Sequence, residues 1–184
     1  MGDDGVYNQA DFSQAALSYL DGLYGYAMTL CRDPSEAADL TQETYLRAVR
    51  AFGRLAPDSN LKGWLYTIMR RVWLNQRRHE GCGPQFVEMD DERGESLQFA
   101  TAGDDPYASY VHKMERDSVR AAVGRLSPVF REVILLNAFE GLSYQEIAGV
   151  LQVPAGTVMS RLSRAREKLK ELLMPGTPPP LRAE

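Results

Sequence analysis

The stretch that decides the fold runs from Gly141 to Leu173, GLSYQEIAGVLQVPAGTVMSRLSRAREKLKELL. Ser143 followed three residues later by Glu146 is a capping box, which satisfies two orphan amide donors reciprocally and starts a helix at the next residue. That helix is short and ends near Leu151, because Gln152, Val153 and Pro154 interrupt it and a proline can open a helix but not sit inside one. The next helix runs to Met174, where Pro175 and Pro178 to Pro180 forbid its continuation. At about 100° per residue, Val158, Leu162, Ala165, Leu169 and Leu172 fall on one apolar stripe. Ile147 and Leu151 are spaced to meet Val158 and Leu162, with Ala148 small enough for the two helices to cross closely. Two helices packed in this way across a three-residue turn make a helix-turn-helix.

The face opposite that stripe carries Gly156, Ser160, Ser163, Arg164 and Glu167, with Arg161, Arg166, Lys168 and Lys170 on its flanks or beyond. Long cations so placed reach phosphates on either side of a groove. Between them, Arg164 can pair bidentately with a guanine, while Ser160 and Ser163 are short enough to let base edges approach. The expected place for such a helix is the DNA major groove; the competing reading is a solvated basic face with no ligand.

Over all 184 residues the formal net charge is −4, with 44% hydrophobic, 25% charged and 9% aromatic residues. That is the composition of folded globular domains, neither disordered nor fibrous. A field is felt locally, so charge counted in blocks says more than the total. Residues 1–45 hold one basic and eight acidic residues, 46–82 eight and two, 83–118 three and nine, and 119–174 eight and five. Two cationic blocks around an anionic one are what two anionic contact sites joined by a non-binding connector would look like. No run of about 18 apolar residues offers a membrane span, and Met1 to Ala10 lacks the basic-then-apolar order of a signal peptide, so a cytoplasmic chain is expected. Cys31 and Cys82 are too few for a disulfide framework and are expected as reduced thiols.

No segment alternates with strand period, and the expected fold class is all-α: two small helical domains, 1–80 and 106–174, joined by a flexible acidic linker over 81–105 and followed by a Pro-rich tail over 175–184. A first helix is expected from about Asp11 to Cys31, with Gly22 and Gly25 weakening its middle. Asp33, Pro34 and Glu36 provide an N-cap, a first-turn proline and an acidic third position for a helix reaching Phe52. A loop from Gly53 to Ser59 leads to a helix over Asn60 to His79. In the second half, Asp105 and Pro106 open a helix to about Arg125, and Ser127 and Pro128 open another to about Glu140. Each half is of a size that buries only about 60% of its unfolded surface, so contacts with partners matter for stability.

The helix from Asn60 to His79 carries a core stripe of Leu61, Trp64, Leu65, Ile68 and Val72. Tyr66, Arg70, Trp73 and Arg77 are expected to project together from its other side, with Arg71 and Arg78 nearby and Arg54 and Lys62 preceding or opening the helix. Aromatic planes alternating with cations suit unpaired bases, which stack for about 1–3 kcal/mol each. Trp73 and Tyr66 either stack in this way or pack against a neighbouring helix. The helix from Pro34 to Phe52 is expected to bury Ala37, Ala38, Thr41, Tyr45, Ala48, Val49 and Phe52. Opposite them, Glu36, Asp39, Leu40, Glu43, Arg47 and Arg50 would leave an exposed leucine inside a charged rim, the pattern of a protein contact.

Together, DPSEAADLTQETYLRAVRAF (33–52), GWLYTIMRRVWLNQRRH (63–79) and LSPVFREVILLNAFEGLSYQEIAGVLQVPAGTVMSRLSRAREKL (126–169) resemble the extracytoplasmic-function sigma factors of bacterial RNA polymerase, members of the sigma-70 family. The resemblance implies a specificity subunit with no catalytic activity or cofactor of its own. It would bind core polymerase, select promoters and promote initiation in a stress or envelope response. Asp39, Leu40, Gln42, Glu43 and Arg47 would grip the coiled coil of the largest polymerase subunit. The loop from Gly53 to Asn60, with Asp58 and Ser59, would capture a base flipped from the melted minus-ten element, which Arg71 and Asn75 help to read. The helix-turn-helix would read the minus-thirty-five element through Met159, Ser160, Ser163 and Arg164, supported by Thr157, Arg161, Arg166 and Lys168. Several relatives carry a basic residue where this chain has Met159 and an aromatic one at Ser163, so a different favoured promoter is implied. An anti-sigma protein is the further partner that the family implies, with no direct membrane insertion.

Two other classes remain to be weighed. GLSYQEIAGVL also resembles the helix-turn-helix of response regulators, but those proteins lack the basic aromatic helix 63–79. A metal or enzyme site would have to use Cys31, His79 and Cys82, with no evident fourth ligand. The sequence contains no Gly-rich phosphate loop or nucleophile elbow.

Overall fold

The computed structural model describes residues 9–55, 59–79 and 118–174, and among these every regular element is a helix. The expected linker, the tail and the start of the helix before Arg125 lie outside them. The N-terminal half contains α1 (Gln9–Leu17), α2 (Leu20–Cys31), α3 (Pro34–Ala51), a 3-10 turn (Phe52–Arg54) and α4 (Leu61–His79). The C-terminal half contains α5, helical over 118–124, then α6 (Pro128–Ile134), which widens into a π turn (Leu135–Phe139), α7 (Tyr144–Leu151) and α8 (Ala155–Leu173).

The caps form as the sequence indicates. The Asp33 carboxylate accepts from the Glu36 amide at 2.9 Å, with Pro34 at the first helical position. At α7 both arms of the capping box close: the Glu146 amide donates to Ser143 Oγ at 3.3 Å, and the Ser143 amide donates to Glu146 Oε2 at 2.6 Å. Gln152 ends α7 in the left-handed region at φ 54, and the turn through Val153 and Pro154 delivers α8. Buried Ile147, Leu151, Val158, Leu162 and Ala165 form the helix-turn-helix interior, and Leu169 and Leu172 pack at its edge.

The expected first helix is divided. It breaks at Ser18 and Tyr19, because Ser18 Oγ bonds back to the Ala15 carbonyl at 2.6 Å and the Tyr45 hydroxyl of α3 donates to the Ala16 carbonyl at 2.8 Å. Carbonyls freed at the end of α1 therefore find partners, one of them 29 residues away. Phe12 stacks on Phe52 with ring centroids 5.1 Å apart and meets the edge of Trp64 at 6.2 Å, closing the base of this half. In the C-terminal half the buried Arg131 guanidinium donates to the carbonyls of Val123, Gly124 and Leu126, so a charged side chain satisfies the exit from α5.

The two halves share one buried apolar cluster. α2 lies against α6, and α4 against α7. α4 is consequently covered on two sides, by its own half through Leu61, Leu65, Met69 and Val72, and by the C-terminal half near Gly63, Tyr66 and Arg70.

Candidate nucleic-acid interface

On α8, the packing of Val158, Leu162 and Ala165 inward turns Met159, Ser160, Ser163, Arg164 and Glu167 fully toward solvent. Met159 is 55% exposed, a large apolar side chain presented where a thymine methyl or base edge could meet it. Ser160 Oγ donates to the Thr157 carbonyl at 3.0 Å, which draws the hydroxyl back along the helix and leaves room above it. Thr157 and Arg161 are half-buried at the rim. Arg166 donates to Asn137 Oδ1 at 2.9 Å, while Asn137 Nδ2 donates to the Leu142 carbonyl at 3.1 Å. The π turn thus tethers one flanking cation of α8. Lys168 lies 3.2 Å from Glu171 on the exposed side.

On α4, Arg71, Asn75 and Arg78 are exposed, and Ser59, just before the helix, is half-buried. Trp73 is half-buried and packs against the apolar cluster. Arg77 is half-buried, 3.8 Å from Glu36. Asp58 and the side chain of Arg54 lie outside the described residues.

Tyr66 and Arg70 do not project outward as expected. Both are buried under the C-terminal half. Arg70 Nε donates to Glu132 Oε1 at 3.0 Å, and the Tyr26 hydroxyl donates to the same oxygen at 2.6 Å. The Tyr26 and Tyr66 rings pack with centroids 5.3 Å apart. Burial first, then the neighbouring Glu132 charge, raises the Tyr26 hydroxyl well above its ordinary value of 10.0. Burial, then Glu140, also drives the Tyr66 hydroxyl far upward. Periodicity located the core stripe of α4 but not a second buried side supplied by residues about 60 to 80 positions later. The available clue was an acid, Glu132, set inside the apolar run VFREVILL.

Neighbouring contacts follow the same pattern. Lys62 lies 3.0 Å from Glu140 Oε2 and 5.8 Å above the Tyr19 ring, and Asn60 Nδ2 donates to Glu146 Oε1. Gly22 in α2 is needed here: a Cβ at that position would lie 2.6 Å from Glu140 Oε2 and 2.7 Å from the Tyr66 hydroxyl. Helix propensity marks Gly22 only as a weak point in a helix, whereas the fold brings the Glu140 carboxylate of the other half up against it.

The exposed face of α3 differs from expectation at its centre. Leu40 is 1% exposed and belongs to the core, in the buried set Ala37, Leu40, Thr41, Thr44 and Ala48. Ala38, expected inside, is exposed instead. The stripe is rotated toward Leu40 because the larger side chain takes the deeper position against α2 and α4. Asp39, Gln42 and Arg47 are exposed and Glu43 half-buried, with Arg47 Nε 2.6 Å from Glu43 Oε1. The exposed leucine of this helix is Leu46, at 46%.

A basic helix-turn-helix packed beside an arginine-rich aromatic helix defines a two-part, all-helical DNA-binding protein. The family model described as Sigma-70 region 2 matches residues 16–81, and that described as Sigma-70, region 4 matches residues 116–169. The RNA polymerase sigma-H factor of Pseudomonas aeruginosa is 34% identical over 168 residues, covering 89% of this chain and 86% of the relative. The ECF RNA polymerase sigma factor EcfG of Rhodopseudomonas palustris is 32% identical over 157 residues, 85% of this chain and 82% of that one. Among solved structures, the sigma factor RpoE in complex with the anti-sigma factor NepR, from Bartonella quintana, matches with a TM-score of 0.66 and 30% identity over 91% of this chain and 99% of its own. CnrH in complex with the cytosolic domain of CnrY matches with a TM-score of 0.59 and 26% identity over 92% of each chain. This chain belongs to the sigma-70 family, in its extracytoplasmic-function branch, and is a promoter-recognising transcription initiation factor.

Proposed function

We propose that the chain works in the cytoplasm as a specificity subunit of RNA polymerase with no chemistry of its own, dividing promoter recognition between its halves. Met159, Ser160, Ser163 and Arg164 read the minus-thirty-five duplex, with Thr157, Arg161, Arg166 and Lys168 positioning the helix on phosphates. Arg71, Asn75, Arg78, Trp73 and the loop residues Arg54, Asp58, Ser59 and Asn60, with Lys62, Tyr66 and Arg70 once uncovered, take the melted minus-ten strand. Capturing an extruded base offsets an unpairing cost of a few kcal/mol, so opening needs no nucleotide hydrolysis. Asp39, Gln42, Glu43 and Arg47, around Leu46 rather than Leu40, dock on the coiled coil of the largest polymerase subunit. An anti-sigma protein holds the factor until a stress or envelope signal, a reading supported by the complex of the similar sigma factor RpoE with the anti-sigma factor NepR.

The observation that carries the reading is the single-sided exposure of α8, with bulky, small and cationic side chains together on the face its core stripe leaves free. Run-off transcription from a randomised promoter library, with purified core polymerase and the full chain, tests it. A selected minus-thirty-five and minus-ten pair is the expected result. Equal initiation with and without the chain refutes it.

A further inference from the structure

We propose that Asn137 is a positioning residue for promoter binding: from the π turn it fixes the Arg166 guanidinium on one flank of α8 and leaves its charge available to a DNA phosphate. This rests on the reading of α8 as the duplex-facing helix. The Asn137 carboxamide lies between two groups that can each bond it in one sense only. The Leu142 carbonyl accepts from Nδ2 at 3.1 Å, and Arg166 Nη2 donates to Oδ1 at 2.9 Å. A carbonyl offers no proton and a guanidinium accepts none, so a single orientation of the amide satisfies both. Asn137 is half-buried, and its backbone carbonyl accepts from the Gly141 amide at 3.2 Å, so main chain and side chain are both anchored. The helix carrying it is widened at that point, with the Glu140 amide donating to the Leu135 carbonyl five residues back at 3.0 Å, a geometry that recurs at functional sites.

Arg166 itself is exposed. Its bond to Asn137 engages one N–H of the guanidinium fork and leaves the others for a ligand. Seven residues beyond Met159, it stands nearly in line with that side chain, about two turns along α8. Lys168 lies about 200° away around the helix, on the other flank, 3.2 Å from the Glu171 carboxylate. The flanks therefore differ in kind. One cation is held by a neutral amide that does not cancel it, the other lies beside a carboxylate that does so in part. An arginine already fixed in place has less side-chain freedom to lose when a phosphate arrives, so the contact is stronger for the same charge.

The test is a double-mutant cycle on the holoenzyme formed from the full chain and core polymerase. Its probe is fluorescent duplex carrying the minus-thirty-five element recovered from the randomised library, titrated at several salt concentrations. Asn137→Leu frees the guanidinium but keeps its charge, and is expected to weaken binding by about two- to tenfold with the salt slope unchanged. Arg166→Ala removes the phosphate contact and should lower the slope by about one. In the Arg166→Ala background, Asn137→Leu should have no further effect, because no guanidinium is left for it to hold. Asn137→Asp keeps an acceptor beside Arg166 but cancels its charge, and should lower the slope by about one, as Arg166→Ala does. A residue that merely supported the fold would weaken both backgrounds equally and would leave the Leu and Asp variants with the same slope. Unchanged affinity in Asn137→Leu, or the same fold-loss with and without Arg166, overturns the proposal. Where Asn137→Leu fails to fold, the Asn137→Asp slope decides, and an unlowered slope overturns it. Lys168→Ala, on the flank that Asn137 does not touch, separates this proposal from the reading beneath it. A slope lowered by Lys168→Ala, with no coupling between Asn137 and Arg166, refutes the proposal alone. Slopes unchanged in both Lys168→Ala and Arg166→Ala refute the reading of α8, and the proposal with it.

Discussion

Replacing Arg70 by Met, Glu132 by Leu, and then both together isolates the buried charge pair that joins the halves. Its side chains are 9% and 4% exposed and 3.0 Å apart. At that separation, with an effective permittivity of about 20, the attraction is about 5 kcal/mol. Withdrawing two ions from water costs several kcal/mol each, so the pair contributes little net stability. Removing one partner is different, because the other charge stays buried without its counter-ion, and each single variant is expected to lose about 3–5 kcal/mol. The double variant removes both charges and leaves the groups that bonded them, the Tyr26 hydroxyl among them, to be satisfied, a cost of about 1–3 kcal/mol for such a group. Its loss should therefore fall well short of the sum of the singles, with a coupling of at least about 3 kcal/mol. Urea unfolding followed by Trp64 and Trp73 fluorescence measures all four chains. Additive losses, within about 0.5 kcal/mol, would refute the claim that these two groups hold one another.

The remaining predictions concern separate parts of the fold. Leu40→Asp should unfold the N-terminal half, since Leu40→Ala alone is expected to cost about 2–5 kcal/mol. Leu46→Asp should keep native circular dichroism and lose core polymerase in co-purification. Arg164→Ala should cost about 1–3 kcal/mol and relax one promoter position, whereas Lys168→Ala should weaken all sequences evenly and lower the salt slope by about one, as titrations at several salt concentrations would read. Ser143→Ala should cost about 1 kcal/mol. The Ser143 hydrogen bonds are the main reason Glu146 titrates below its ordinary 4.5, so the same change should move that titration upward by NMR. Because the folded value is the lower one, the box is intact at neutral pH and is lost as pH falls through that folded value. Tyr45 is pushed up to about 12 by burial and then by Asp21, and Tyr26 and Tyr66 are raised for the reasons given above. Their contribution to stability is whole below the ordinary 10.0 and is lost as pH rises through the folded values. Phenolate absorbance of these residues should therefore appear together with alkaline unfolding.

Local chemistry was enough to write much of this protein from its sequence. Asp33 with Pro34, and Ser143 with Glu146, fix two helix starts because each cap is satisfied within three residues. The α8 stripe fixes a reading face because helical period alone separates Val158, Leu162 and Ala165 from Met159, Ser163 and Arg164. Tertiary structure decided whatever depended on distant partners. The break between α1 and α2 needs the Tyr45 hydroxyl. The depth of Leu40 is set by which side chain fills the space between α2, α3 and α4. The covering of Tyr66 and Arg70 comes from Glu132, Glu140 and Glu146. A period describes one helix against an unspecified core, so it cannot register a second surface arriving from the other half of the chain, nor the glycine at Gly22 that lets that surface close.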